Sequence, residues 1–279
     1  MQTDGPGGAS VPRDLQQDRP HSARMYDYYL GGKDNYAVDR AAVAKAMAAF
    51  PGVLIAARVN RAFMQRATRF LAERGIRQWL DIGTGIPTSP NLHEVAQSVA
   101  PDARVVYADN DPIVLAHSRA LLNAAPGGAT AYIDGNVRDP EAILSSPELE
   151  RTLDLSRPVV LSLNALMHFV PDEWGPYEIV GRLLAALPSG SALALSHATA
   201  DFDPEGWAGV AEVYRKGGTP LRTRSRAEVE KFFEGLDLVD PGVEVPHRWR
   251  PEDVGPLRAR TGDITDTEVS QYAGVAFKP

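Results

Sequence analysis

From Gly75 onward, short runs rich in β-formers alternate with helical runs, and that order leaves few folds open. Parallel strands need a crossover connection, usually a helix, so the alternation predicts a mostly parallel sheet covered by helices on both faces. Strands are expected at Gln78–Ile82, Arg104–Asp109, Ala129–Ile133, Val159–Leu163, Ala192–His197, Leu236–Val245 and Ser270–Phe277. The helices between them carry start signals. Asp111-Pro112 and Asp139-Pro140-Glu141 each set a capping carboxylate before a first-turn proline, and Ser225-Arg226-Ala227-Glu228 reads as a capping box. No convincing helical run separates the last two strands, which are therefore expected to pair antiparallel at the sheet edge.

Ahead of the sheet, residues 1–19 are rich in Gly, Pro, Asp and Gln with little to bury, and read as a flexible leader. Residues 20–75 read as a helical cap and 76–279 as the sheet domain. In the cap a short helix from His21 is stopped by Gly31-Gly32, a second covers about Ala37 to Phe50, and a third about Val53 to Arg74. The third sets Ile55, Val59, Phe63 and Phe70 on a common face, while Arg58, Arg61, Arg66 and Arg69 read as a solvated one.

Composition narrows the partners. A chain of 279 residues with 44% apolar content can bury a sizeable core. A formal charge of −7 speaks against a surface that holds nucleic-acid phosphates, so a small-molecule partner is expected. There is no cysteine for disulfides or thiolate chemistry. No apolar run approaches the roughly 20 residues of a bilayer span, and the amino terminus lacks a basic-then-apolar signal, so no membrane partner and a cytoplasmic location are expected. The six histidines are scattered without metal-site spacing, so no metal is expected. The oligomeric state is not readable.

Ligands of open α/β sheets bind beyond the carboxyl ends of the strands, so the residues that end each strand are the candidates. The first strand runs into Leu80-Asp81-Ile82-Gly83-Thr84-Gly85-Ile86-Pro87. Gly83 and Gly85 permit close backbone approach to a ligand around Thr84, and amides at the next helix start could face a polar group. A nicotinamide-type loop would read G-x-G-x-x-G, but the third position here is Thr88. Asp81 would repel a pyrophosphate and attract an ammonium. The second strand ends in Asp109 and Asn110; Asp109 could accept from two neighbouring ribose hydroxyls, or it and Asp111 could cap the next helix. At the third end, Asn136 and the Val137 N–H suit an adenine edge, with a plain turn as the alternative for Asn136. The fourth end offers Asn164, and just beyond it His168, a candidate general base or a structural histidine.

Taken together, an acidic residue before two spaced glycines and seven strands with that ending resemble the class I fold of S-adenosylmethionine-dependent methyltransferases. The YDYYLGGKDNY core of Ser22–Arg40, Asn60-Arg61, LDIGTGIPT, YADNDP, NVRDPEAIL and Pro241-Gly242 with His247-Arg248-Trp249-Arg250-Pro251 resemble methyltransferase family 19, once described only as a domain of unknown function. The resemblance implies a seven-stranded α/β class I fold, S-adenosylmethionine as cofactor, and methyl transfer to an acceptor it does not identify. Pro87 stands where many members of the wider class have a third glycine, and Asn136 where an aspartate is frequent.

The amino-terminal segment sets Tyr26, Tyr28, Tyr29 and Tyr36 among Arg24, Lys33, Asp34 and Asn35 around the double glycine. Such a set suits a lid over the acceptor side, or alternatively a dock that only holds the cap on the sheet. Two other functions remain open from sequence: a non-catalytic module that senses the donor or its demethylated product, and a nicotinamide-dependent oxidoreductase, which conflicts with Asp81 and Thr88.

Overall fold

The computed structural model describes residues 17–115, 124, 126–251 and 264–279, so most of the expected leader lies outside the described residues. Strands β1 (Gln78–Ile82), β2 (Arg104–Asp109), β3 (Ala129–Asp134), β4 (Val160–Asn164), β5 (Ala192–Ala198), β6 (Asp237–Leu238) and β7 (Gln271–Phe277) form one sheet in the order β3-β2-β1-β4-β5-β7-β6. β1 to β5 run parallel, and β7 pairs antiparallel with both β5 and β6. The expected α/β class is therefore present, with its antiparallel end. The sixth strand is much shorter than expected. Pro241, which has no N–H for a ladder, and Gly242 at φ 86° interrupt it, leaving an isolated bridge from Glu244 to Ala273.

Alternation along the strands builds two cores, because successive side chains point to opposite faces. Leu80, Val106, Leu161, Leu163, Leu193 and Leu195 belong to one buried cluster, with Ile179, Leu183 and Phe232 from helices on that face. Trp79, Val105, Tyr107, Val160 and Ala194 belong to the other, with Phe63, Leu71 and Leu92. The second face is covered by helices α3 (Val53–Glu73) and α4 (Leu92–Val99).

Helices α1 (Ser22–Tyr29) and α2 (Ala37–Ala49) form a third cluster with the helix Pro204–Lys216, in which Met25, Tyr29, Val43, Phe50 and Trp207 are buried. Two carboxylates shape this corner. Asp27 accepts from Asp34 N and Asn35 Nδ2 (2.9 and 2.8 Å), closing the chain around Gly31-Gly32. Asp39 accepts from His21 N, Tyr36 N and Arg24 Nε (2.9, 2.8 and 3.2 Å), which ties the starts of α1 and α2 together. Gly32 is required there, since a Cβ would lie 1.9 Å from the Asp27 carboxylate.

Candidate functional site

β1 has β2 on one side and β4 on the other, so chain progression reverses at β1 and a crevice opens past the strand ends. A cleft of about 890 Å³, counting its open mouth, lies there. Asp81, Gly83, Thr84, Gly85, Asp109, Asn110, Asn136, Val137 and Asn164, the residues expected at the four strand ends, all line it.

The glycine loop is held open by backbone geometry and by β2. Gly83 and Gly85 adopt φ of 73° and 67°, in the region that favours glycine. Gly83 N donates to Ala108 O at 2.8 Å, and Gly85 N donates to Asp109 Oδ2 at 2.8 Å. A Cβ on Gly83 would meet Leu166 Cδ1 at 2.6 Å, whereas one on Gly85 would meet nothing within 4 Å. The helix expected directly after the loop begins only at Leu92, capped by Asn91 and Glu94. Pro87 and Pro90 keep the residues before them out of helical geometry, so no helix start borders the loop, and the N–H groups of Gly83, Gly85 and Thr88 are bound to Ala108 O, Asp109 Oδ2 and Asn91 Oδ1.

Asp109 is both clasp and wall. Its Oδ1 accepts from Asp111 N at 2.9 Å while Oδ2 holds Gly85, and each oxygen keeps a second lone pair for a hydroxyl. Asp111 accepts from Ile113 N at 2.9 Å, the capping role expected of it, and also meets His21 Nδ1 at 2.8 Å. Burial raises the Asp109 pKa, partly offset by those backbone amides. Asn136 Oδ1 accepts from Arg138 N at 3.0 Å, the turn geometry weighed as its alternative, although the residue still borders the cleft.

A chain of polar groups crosses from β1 to β4. Ser162 Oγ donates to Asp81 Oδ1 at 2.5 Å, and Asn164 Nδ2 donates to Ser162 Oγ at 2.7 Å. Burial pushes the Asp81 carboxyl up to about 6, against the lowering effect of Ser162 and Arg61. Asn164 Oδ1 is left buried with no hydrogen-bond partner. Ala165 follows at φ 52°, a strained angle for a residue with a side chain, held by its N–H on Ser196 Oγ at 2.9 Å. These features fit S-adenosylmethionine: an ammonium would satisfy the orphaned Asn164 oxygen beside Asp81, and the open space over Gly85 leaves room for close approach.

The expected lid and base are corrected. His168 does not line the cleft. It is buried against Phe169 and His197, its Nδ1 accepts from Ala198 N at 3.4 Å, and burial followed by the Arg224 charge lowers its pKa to about 3. Arg24, Tyr28, Tyr29, Lys33, Asn35 and Tyr36 do not line it either. Arg24 is bound to Asp39 and lies over Tyr36, Asn35 is bound to Asp27, Tyr29 is in the third cluster, and Tyr28 and Lys33 are exposed. The segment builds the corner that sets α1 down, and only Tyr26 among its tyrosines reaches the cleft.

The walls missed by sequence reasoning come from α1 and α3. His21, Ser22 and Ala23 at the start of α1 border the cleft, as do Asn60, Arg61 and Met64 of α3. Asn60 Nδ2 donates to Tyr26 Oη at 2.9 Å, and its Oδ1 accepts from Ser196 Oγ. Arg61 is no solvated side chain: its Nη2 donates to Thr88 O and to Pro90 O, the latter at 2.9 Å. Arg66 likewise donates from Nε to Trp249 O at 3.1 Å. The available signal was that Asn60 falls on the apolar stripe of Ala56, Phe63, Met64 and Ala67, where a polar residue needs a reason. Among the described residues no group of three or more His, Asp or Glu could hold a metal ion, and no single helix is long and apolar enough to cross a membrane.

A family model described as S-adenosyl methyltransferase matches residues 8–279. A DUF574 family protein from Streptomyces avermitilis MA-4680 is 51% identical, with 95% of this chain and 100% of that one covered and a TM-score of 0.91. A candidate methyltransferase from Thermobifida fusca YX is 40% identical over 96% and 98%, with a TM-score of 0.85. The plantazolicin methyltransferase BamL, solved with S-adenosylhomocysteine and a triazolic desmethylPZN analog, shares the fold at 10% identity over 92% and 95%, with a TM-score of 0.52. No curated protein matches.

Proposed function

The chain belongs to the S-adenosyl methyltransferase family and is an S-adenosylmethionine-dependent methyltransferase, and from that premise we propose that the strand-end cleft seats the donor and admits a small-molecule acceptor. The observation that carries the donor placement is Asn164 Oδ1, a buried acceptor with no partner, in the same polar chain as the Asp81 carboxyl. Together they would receive the donor's α-ammonium. Asp109 would accept the ribose hydroxyls, and Asn136 with the Val137 N–H would meet the adenine. Bound there, the donor supplies an electrophilic methyl group on a sulfonium.

What the protein adds is position and exclusion of water. Tyr26, Met64, Leu166 and Phe169 give the wall beyond Asn164 an aromatic and apolar character. That wall suits an acceptor with an apolar body, and its rings favour a nearby cation by about 0.5–2 kcal/mol. Holding the nucleophile in line is the main source of rate in such a site. The open cleft does not favour the donor-sensing module, which would need no acceptor space. A cytoplasmic setting is part of the same proposal, tested by cell fractionation.

Calorimetric titration with S-adenosylhomocysteine tests the placement. Saturable binding is expected, weakened at least about tenfold in Asp109→Ala through loss of charged hydrogen bonds. A wild type that binds none would sink the placement. A methyl-transfer screen over small metabolites addresses the acceptor.

A further inference from the structure

We propose that Arg61 anchors the donor's α-carboxylate, so that the cleft recognises a free amino acid end through two opposite orphans, Arg61 Nε as donor and Asn164 Oδ1 as acceptor. The inference rests on the donor placement above and adds a residue that placement does not use.

Arg61 lines the cleft from α3, and its guanidinium is bonded through Nη2 but not through Nε. Nη2 is taken by the carbonyls of Thr88 and Pro90, which point the group at the turn after the glycine loop. Nε is buried and has no partner. A buried N–H without an acceptor costs free energy, and a guanidinium presents its donors in a planar fork that matches a carboxylate. In the same cleft, Asn164 uses Nδ2 on Ser162 and leaves Oδ1 buried and bare. Arg61 is also close enough to act on the Asp81 carboxyl, lowering its pKa against burial. The cationic donor and the anionic and amide acceptors therefore lie within one electrostatic neighbourhood.

An α-amino acid needs that combination: an unpaired cationic donor for its carboxylate and unpaired acceptors for its ammonium. A nucleoside without an amino acid end would leave both orphans unsatisfied. The bland role for Arg61 is to tether the 88–90 turn through its Nη2. A tether acts on loop position, so its loss would weaken every ligand of the cleft alike. A carboxylate anchor acts only on ligands that carry a carboxylate.

Calorimetry with S-adenosylmethionine and decarboxylated S-adenosylmethionine separates the two roles, because both ligands keep the sulfonium and the nucleoside. Wild type is expected to prefer the intact donor by roughly 10- to 100-fold, the worth of a charged hydrogen-bonded contact. In Arg61→Gln that preference is expected to fall to near equality, with partial recovery in Arg61→Lys. Equal affinity of the wild type for the two ligands overturns the proposal without any variant. So does an Arg61→Gln protein that weakens both ligands by the same factor and keeps the preference. If Asp109→Ala leaves S-adenosylmethionine binding unchanged, the donor placement itself has failed, and the anchor fails with it.

Discussion

Asp81 sets stability and donor affinity against each other. Its folded-state pKa is pushed up to about 6 by burial, against an ordinary value of 3.8. Between those values the folded protein holds a proton that the unfolded chain has released. Stability therefore falls as pH rises through that window and stays at the lower level above it. Asp81→Asn is expected to remove this slope and to raise stability above pH 6 by on the order of 2 kcal/mol, read from melting temperatures between pH 4 and 7. Donor affinity should move the other way. An ammonium is attracted to the ionised carboxyl, so binding is expected to tighten as pH rises through about 6 in wild type and not in Asp81→Asn, as calorimetry at pH 5 and 7 would show. The glycines differ in kind. Gly83→Ala combines positive φ with a contact at 2.6 Å to Leu166, and is expected to cost about 1–3 kcal/mol in urea unfolding and to displace the cleft wall. Gly85→Ala meets open space and carries the backbone strain alone.

The wall after β4 depends on an arginine that does not line the cleft. Arg224 is buried and donates to Met167 O, Val170 O and Asp172 Oδ1 (3.1, 3.0 and 2.5 Å) and to His197 Nε2 at 2.9 Å. Because Arg224 can only donate, His197 accepts at Nε2 and its Nδ1 donates to Ala198 O at 2.7 Å, which keeps the imidazole neutral. This cluster pins residues 167–172, and Phe169 within them faces the cleft. Arg224→Met strips the partners from several buried carbonyls and is expected to cost about 3–5 kcal/mol. Denaturant midpoints would measure it, and weaker donor binding should accompany it. The corner of α1 and α2 works in a similar way. Asp27 binds Asp34 N and Asn35 Nδ2, and Asp39 binds Tyr36 N, His21 N and Arg24, so the run weighed as a lid or a dock holds the cap together and sets His21 and Tyr26 at the cleft.

Donor binding and sheet stability are coupled because the cleft draws on the ends of β1 to β4 and on two cap helices at once. A ligand that binds only the folded state stabilises all of them together. S-adenosylhomocysteine at about 100 times its Kd is expected to add about 2.7 kcal/mol and to raise the melting temperature by about 5–10 °C. No shift at that concentration would contradict a site built across the sheet. The strands and the residues that end them were legible in the chain, since runs of β-formers, proline and glycine stops and capping residues act within a few neighbours. β1 and β2 fall where the pattern predicts, and Asp81, Asp109, Asn136 and Asn164 reach one cleft because parallel strands present their ends on one side. Which cap residues face that cleft was set by packing between distant parts of the chain. Arg61 reads as solvated, and His168 as either a base or a structural histidine, until α3 is laid on the sheet and Arg224 is packed behind β4. Those contacts span from 27 to more than 50 residues of chain, beyond the reach of any local pattern.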